Sequence, residues 1–152
     1  MSIPNLSRRR TQAGNSMVEL ALVCAVLLPF VTGIFQFGYG FFGYNRLVSG
    51  VRSGARYASL LKYDSATTTP STGFQSAVRN MVVYGDPAGG TNPLISGLSP
   101  TQVNVSVTMI NGAPDTVTVS VSSFTLDTIF KRFVFVNKPV AAFRYSGVFA
   151  PL

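Results

Sequence analysis

At 152 residues the chain has room for one compact domain and one membrane segment, and little else. It holds no histidine and a single cysteine, Cys24, so it lacks the commonest general base and metal ligand and cannot close a disulfide on itself. The net charge of +7 does not point to nucleic acid, because the basic residues flank an apolar stretch as headgroup anchors do: Arg8, Arg9 and Arg10 precede it, and Arg46, Arg52, Arg56 and Lys62 follow.

The first 14 residues are polar and basic and read as a leader ending in Gly14. From Leu20 to Phe42 the chain is almost continuously apolar, interrupted by Pro29, Thr32, Gln36 and glycines. As a helix this run covers about 30 Å, enough to cross a hydrocarbon core, and a membrane span over about residues 20–43 is expected. A secretory signal would have a shorter apolar region followed by small residues. Here Phe35, Phe37, Tyr39, Phe41, Phe42 and Tyr44 crowd the far end, the pattern of an interfacial belt. Cys24 inside the run reads as a small apolar filler.

Helical spacing continues beyond the span through Leu47, Val51, Ala55, Ala58 and Leu61, which predicts one helix over residues 15–62. Gly50, Gly54 and Ala58 recur every fourth residue and form a smooth face on which another helix backbone can pack closely. Residues 63–152 then form a separate domain. A loop over 63–73 leads to Phe74, Val78, Met81 and Val82 at helical spacing, capped by Ser71 or Thr72 and stopped at Gly85. The glycine-rich stretch 85–93 lacks the ending of a phosphate-binding loop and reads as punctuation. Val103, Val105 and Val107 alternate with polar residues, as do Val117, Val119 and Val121, with a hairpin connection over Asn111–Asp115. The valines point to a core that the long helix covers, and the Ser and Thr positions face water. A third strand is expected over Val140–Val148. The expected fold class is α+β: a long N-terminal membrane-spanning helix packed on a small antiparallel sheet.

The most specific motif joins the leader to the helix. Gly14 ends the basic run, and Glu19 follows five residues later at the start of the apolar stretch. Together with Ser16-Met17-Val18-Glu19-Leu20-Ala21-Leu22-Val23, Pro29, Gly33-Ile34-Phe35-Gln36-Phe37-Gly38 and Gly54-Ala55-Arg56-Tyr57-Ala58, this resembles the TadE-like pseudopilins, minor pilins of tight-adherence pili. The resemblance covers about residues 12–60. It implies cleavage between Gly14 and Asn15 by a prepilin peptidase on the cytoplasmic side, a pilin-like fold and assembly with other pilin subunits. It also implies a single-pass inner-membrane protein whose C-terminal domain lies outside the cytoplasm. In one respect the chain departs from the family, which often has an acidic residue where Gln36 stands.

The residues allow two roles for Glu19. A carboxylate drawn unpaired to the bilayer centre costs about 2–3 kcal/mol, so a buried Glu19 needs a partner such as the amine freed at Asn15. Otherwise it sits at the interface, where it favours the helix N-terminus. The expected function is thus a structural subunit without cofactor or metal, partnered by the peptidase, other pilins and the bilayer. The alternative is an unprocessed single-pass protein whose outer domain binds an envelope partner. An enzyme is disfavoured because Glu19, Asp64, Asp86, Asp115 and Asp127 are far apart in sequence, and only a spatial cluster of the last three would reopen it.

Overall fold

The computed structural model describes residues 7–128 and 131–151, with side chains from Gly14 onward. The first six residues of the leader, and the side chains of Arg8–Arg10, lie outside the described residues. Internal packing divides the chain into two units that meet between Gly38 and Tyr39.

The first unit is helical wherever it is described, as part of α1, which runs from Ser7 to Leu60. Between Met17 and Phe37 its apolar side chains are exposed on every face, including Leu20, Val26, Phe30 and Ile34. A helix apolar all round requires an apolar surrounding. From Gly14 onward α1 is long and apolar enough to cross a membrane. Pro29 stands inside it without ending it. Three residues on, Thr32 Oγ1 donates to Leu28 O at 2.6 Å, so the hydroxyl is satisfied within the helix and needs no water.

The second unit begins with the distal part of α1. There the helix becomes one-sided: Leu47, Val51, Ala55 and Ala58 are buried, while Arg46, Arg52, Ser53 and Arg56 are exposed. Helix α2 (Thr72–Tyr84) starts at Ser71, whose Oγ accepts from Phe74 N at 3.2 Å, and stops at Gly85 with φ +77°. It buries Phe74, Val78, Val82 and Val83.

A single 3₁₀ turn, Pro100–Gln102, leads into β1 (Val103–Ile110), which pairs antiparallel with β2 (Ala113–Val121). Val103 faces Val121, Val105 faces Val119 and Val107 faces Val117. The connection is tighter than the five-residue loop expected. Asn111 (φ +52°) and Gly112 (φ +77°) form it alone, the pair that a twisted two-residue hairpin favours. The third strand, β5 (Val140–Arg144), pairs antiparallel with β2, so the sheet order is β1-β2-β5. It ends at Arg144, short of the expected Val148: after the last bond to β2, from Tyr145 N to Asp115 O, Ser146 N donates instead to Ser59 O at the end of α1. The inward valines share one core with Leu47, Val51, Ala55 and the apolar face of α2. Val105, expected inside with the others, is only half-buried, and Thr118 and Ser120 are half-buried where full exposure was expected. Thr118 and Ser120 lie on the central strand between β1 and β5, whose side chains flank them. The expected α+β class is what the chain adopts.

One hairpin was not foreseen. β3 (Ser123–Asp127) and β4 (Arg132–Val136) form a second, two-stranded sheet. Phe124 and Leu126 are buried on its inner face, and Phe133 and Phe135 are half-buried beside them. Phe135 meets the Tyr44 ring of α1 at 5.1 Å between centroids.

The C-terminal segment closes the domain by capping α1. A helix leaves its last four carbonyls without partners inside the helix. Here Ser146 N donates to Ser59 O at 2.9 Å, and the Tyr145 hydroxyl lies 2.8 Å from both Leu61 O and Val148 O while accepting from Tyr63 N at 3.0 Å. Gly147 sits so close that a Cβ there would fall 2.7 Å from Leu61 O. Tyr63 is fully buried at the centre of this junction, edge-on to Phe74 and Tyr145 and stacked on Phe149. Burial pushes both the Tyr63 and the Tyr145 hydroxyls above the ordinary tyrosine range.

Candidate functional site

The residues singled out around the expected cut are all exposed. Gly14, Asn15 and Glu19 all fall within α1 and are solvent-accessible. Asn15 and Glu19 are four residues apart, so one turn separates them on the same face. Among the described residues Glu19 makes no ion pair. Around Gly14 there is open space, with nothing within 4 Å of where a Cβ would stand. The Gly14–Asn15 bond is therefore reachable, but it is held in helix, and a protease that takes extended backbone must unwind it. Glycine weakens the helix there by about 1 kcal/mol relative to alanine.

The small-residue stripe lies farther along, in the second unit, and is occupied from within the chain. Gly50 and Gly54 are buried against α2: a Cβ on Gly50 would sit 2.9 Å from Val82 O, and one on Gly54 would sit 2.2 Å from Val82 Cγ2 and 3.5 Å from Val78 O. Ala58 is fully buried in the same core. The close helix approach that such a stripe permits is made here by α2 of the same chain. Sequence spacing identified the stripe, but nothing local to it could say which helix fills it.

The carboxylates stay dispersed. Asp127 pairs with Arg132 at 2.8 Å, Asp115 faces Arg144 at 3.7 Å, and Asp86 Oδ1 accepts from Ala88 N at 2.9 Å in a turn. Asp64 accepts from the Ser71 hydroxyl at 2.9 Å, which fixes the residue that caps α2. Among the described residues no three carboxylate or cysteine groups come together to hold a metal. Cys24 is exposed on the apolar part of α1. At the other end of the apolar run, the Arg46 guanidinium lies over the Phe42 ring, 5.6 Å from its centroid, an aromatic–cation pair of the kind that marks a membrane interface.

Residues 14–56 match the family model of the TadE-like proteins. The chain carries a TadE-like segment. The match begins at the glycine of the proposed cut, takes in the whole apolar run and ends in the one-sided part of α1, so the likeness recognised in the motifs holds over the helix. No curated protein and no solved structure matches the chain. Outside the TadE-like segment, the domain from Tyr57 onward is described by its own geometry alone.

Proposed function

We propose that this chain is a TadE-like minor pilin: a structural subunit that prepilin peptidase cuts between Gly14 and Asn15, and that then joins other pilins in a tight-adherence pilus. The observation that carries the reading is the family match starting at Gly14, with Glu19 five residues on and an apolar helix behind it. In this reading the basic leader stays in the cytoplasm, α1 crosses the inner membrane once, and the β-rich domain lies outside. The bilayer holds the subunit until assembly, when the lipid around the apolar helix is replaced by helices of neighbouring subunits. Cleavage frees the amine of Asn15, and Glu19 of an adjacent chain is its counter-charge. Within one chain the two groups make only a weak exposed pair of a few tenths of a kcal/mol. Between chains in an apolar bundle the same pair satisfies two charges and fixes axial register.

The rival reading is an unprocessed single-pass protein whose outer domain binds an envelope partner, and the unbroken helix through Gly14–Asn15 favours it. Mass spectrometry of the membrane-extracted protein separates the two. With the cognate peptidase present, the mature N-terminus is expected at Asn15. An intact leader in a peptidase-positive host refutes the pilin reading.

A further inference from the structure

The three-stranded sheet has two edges, and they are managed differently. Along β1 the helix α2 lies close, and Arg79 Nε donates to Val103 O at 3.0 Å. Along β5 the described residues place no further strand. The direction of its free groups follows from two bonds: Tyr145 N donates to Asp115 O at 2.6 Å, and Val121 N donates to Pro139 O at 3.2 Å. Bonded positions alternate in an antiparallel pair, so 139, 141, 143 and 145 bond to β2, and the N–H and C=O groups of Val140, Ala142 and Arg144 point away from it. All three residues are exposed. An exposed edge of this kind is a template for another strand.

Beside this edge, between β5 and α1, runs a groove made of two adjoining hollows of about 480 and 450 Å³ that share Asn45, Val48 and Arg52. Its floor is apolar, with Val48 and the 37% exposed Phe143, which stands opposite Val117 in register. Its rim is basic: Arg52, Arg56 and Lys138 line it, no carboxylate does, and none of the three has an ion pair among the described residues.

We propose that the β5 edge and this basic groove dock an extended acidic segment of a partner protein, added as a fourth strand. Backbone bonds at Val140, Ala142 and Arg144 supply affinity, and the Arg52–Arg56–Lys138 rim selects carboxylates on the face of the segment turned toward α1. A second copy of this chain is a poor occupant, because residues 39–152 carry nine basic against four acidic side chains and so repel the same rim. The proposal does not depend on whether the leader is cleaved.

The test uses the full chain in nanodiscs of zwitterionic lipid, with two fluorescent octapeptides, one alternating Glu and Val and the other Lys and Val. The acidic peptide is expected to bind, to slow amide exchange at Val140, Ala142 and Arg144, and to bind at least tenfold more tightly than the basic one. Ala142→Pro removes an outward N–H and no bond to β2, so it should leave the melting temperature unchanged and weaken binding about fivefold or more. Arg52→Glu with Arg56→Glu, on the exposed helix face, should abolish the preference for the acidic peptide. The proposal is overturned if both peptides bind equally or neither binds. It is also overturned if Ala142→Pro folds and binds as well as the parent while the charge-reversed variant keeps its preference. Capture of vesicles containing phosphatidylglycerol without binding of the acidic peptide overturns it too, and assigns the rim to lipid headgroups.

Discussion

Replacing Gly50 by alanine sets two effects of similar size against each other, and the structure decides the sign. In a helix interior alanine is favoured over glycine by about 1 kcal/mol. Against this, the new Cβ would stand 2.9 Å from Val82 O, a backbone atom that moves only if α2 moves. Restoring ordinary contact needs a shift of about 0.5 Å or more, and a gap of that size forfeits a quarter to a half of each dispersion contact it opens. Val78 and Val82, the residues that face the stripe, are buried to 0% and 1% exposure, so their contacts bear the loss. Overpacking of this kind costs about 1–3 kcal/mol, which leaves a net destabilisation of about 1 kcal/mol. Gly73 provides the control, because it lies in the first turn of α2 with nothing within 4 Å of its Cβ position. There the propensity gain stands alone, and Gly73→Ala should stabilise by about 0.5–1 kcal/mol. The chain has no tryptophan, so thermal melts of the full chain in detergent are best followed by near-ultraviolet tyrosine signals, which report the Tyr63–Tyr145 junction. The expected shifts are about 4 °C down for Gly50→Ala and a few degrees up for Gly73→Ala. If Gly50→Ala raises the melting temperature as Gly73→Ala does, the α1–α2 contact is looser than described and the packing argument fails.

Four further outcomes are expected. Tyr63 and Tyr145 are held neutral by burial, so their contribution is complete below the unfolded tyrosine value near 10 and is lost as pH rises through their raised folded values; melting should be flat up to about pH 10 and fall above it. Tyr145→Phe should shift melting down by the equivalent of about 1–3 kcal/mol, since it takes the hydroxyl from Leu61 O, while Tyr63 N keeps its bond to Val148 O at 2.9 Å. Val119→Asp buries an unpartnered charge in a fully enclosed position and should unfold the domain in denaturant titrations, whereas Ser120→Asp on the outer face should cost about 0.5 kcal/mol or less; equal tolerance at the two sites would refute the register. Glu19→Gln should leave cleavage and domain melting intact while reducing co-purification with other pilins, and normal assembly of that variant would reduce Glu19 to an interfacial carboxylate.

Legibility in the sequence followed the range of the forces involved. Helix α2 was readable because Phe74, Val78 and Val82 are spaced for one face and Ser71 and Gly85 mark its ends. The β1–β2 pair was readable because valines alternate with Ser and Thr. In β4 that contrast is lost: Arg132-Phe133-Val134-Phe135-Val136 is apolar on both faces, with Val134 and Val136 more than 60% exposed, so period two does not show. Its partner β3 is only five residues long, although Phe124 and Leu126 alternate correctly. The capping of α1 was beyond local pattern altogether, since Tyr145 reaches Leu61 from 84 residues away. At the site, the spacing of Gly14 and Glu19 was a sequence property, and so was the glycine stripe. The β5 edge and its basic rim were not, because Arg52 and Lys138 meet only once the sheet is folded.

The way α1 changes character explains how one helix can serve two environments. From Met17 to Phe37 its apolar residues are exposed in all directions. From Tyr39 onward one face carries Leu47, Val51, Ala55 and Ala58 into the core, while Asn45, Ser49, Arg52 and Arg56 lie on the other side. Tyr39, Phe41, Phe42, Tyr44 and Arg46 occupy the change-over, the residue types that sit where lipid gives way to water. Among the described residues, the core that holds the β-rich domain draws only on residues beyond that point. In the proposed reading, lipid around the apolar half gives way to helices of neighbouring subunits on assembly, and that exchange would cost the domain none of these core contacts. The converse also follows. A domain cut free after Leu60 would lose four fully or almost fully buried residues from its core, so the distal part of α1 belongs to the fold as much as the sheet does.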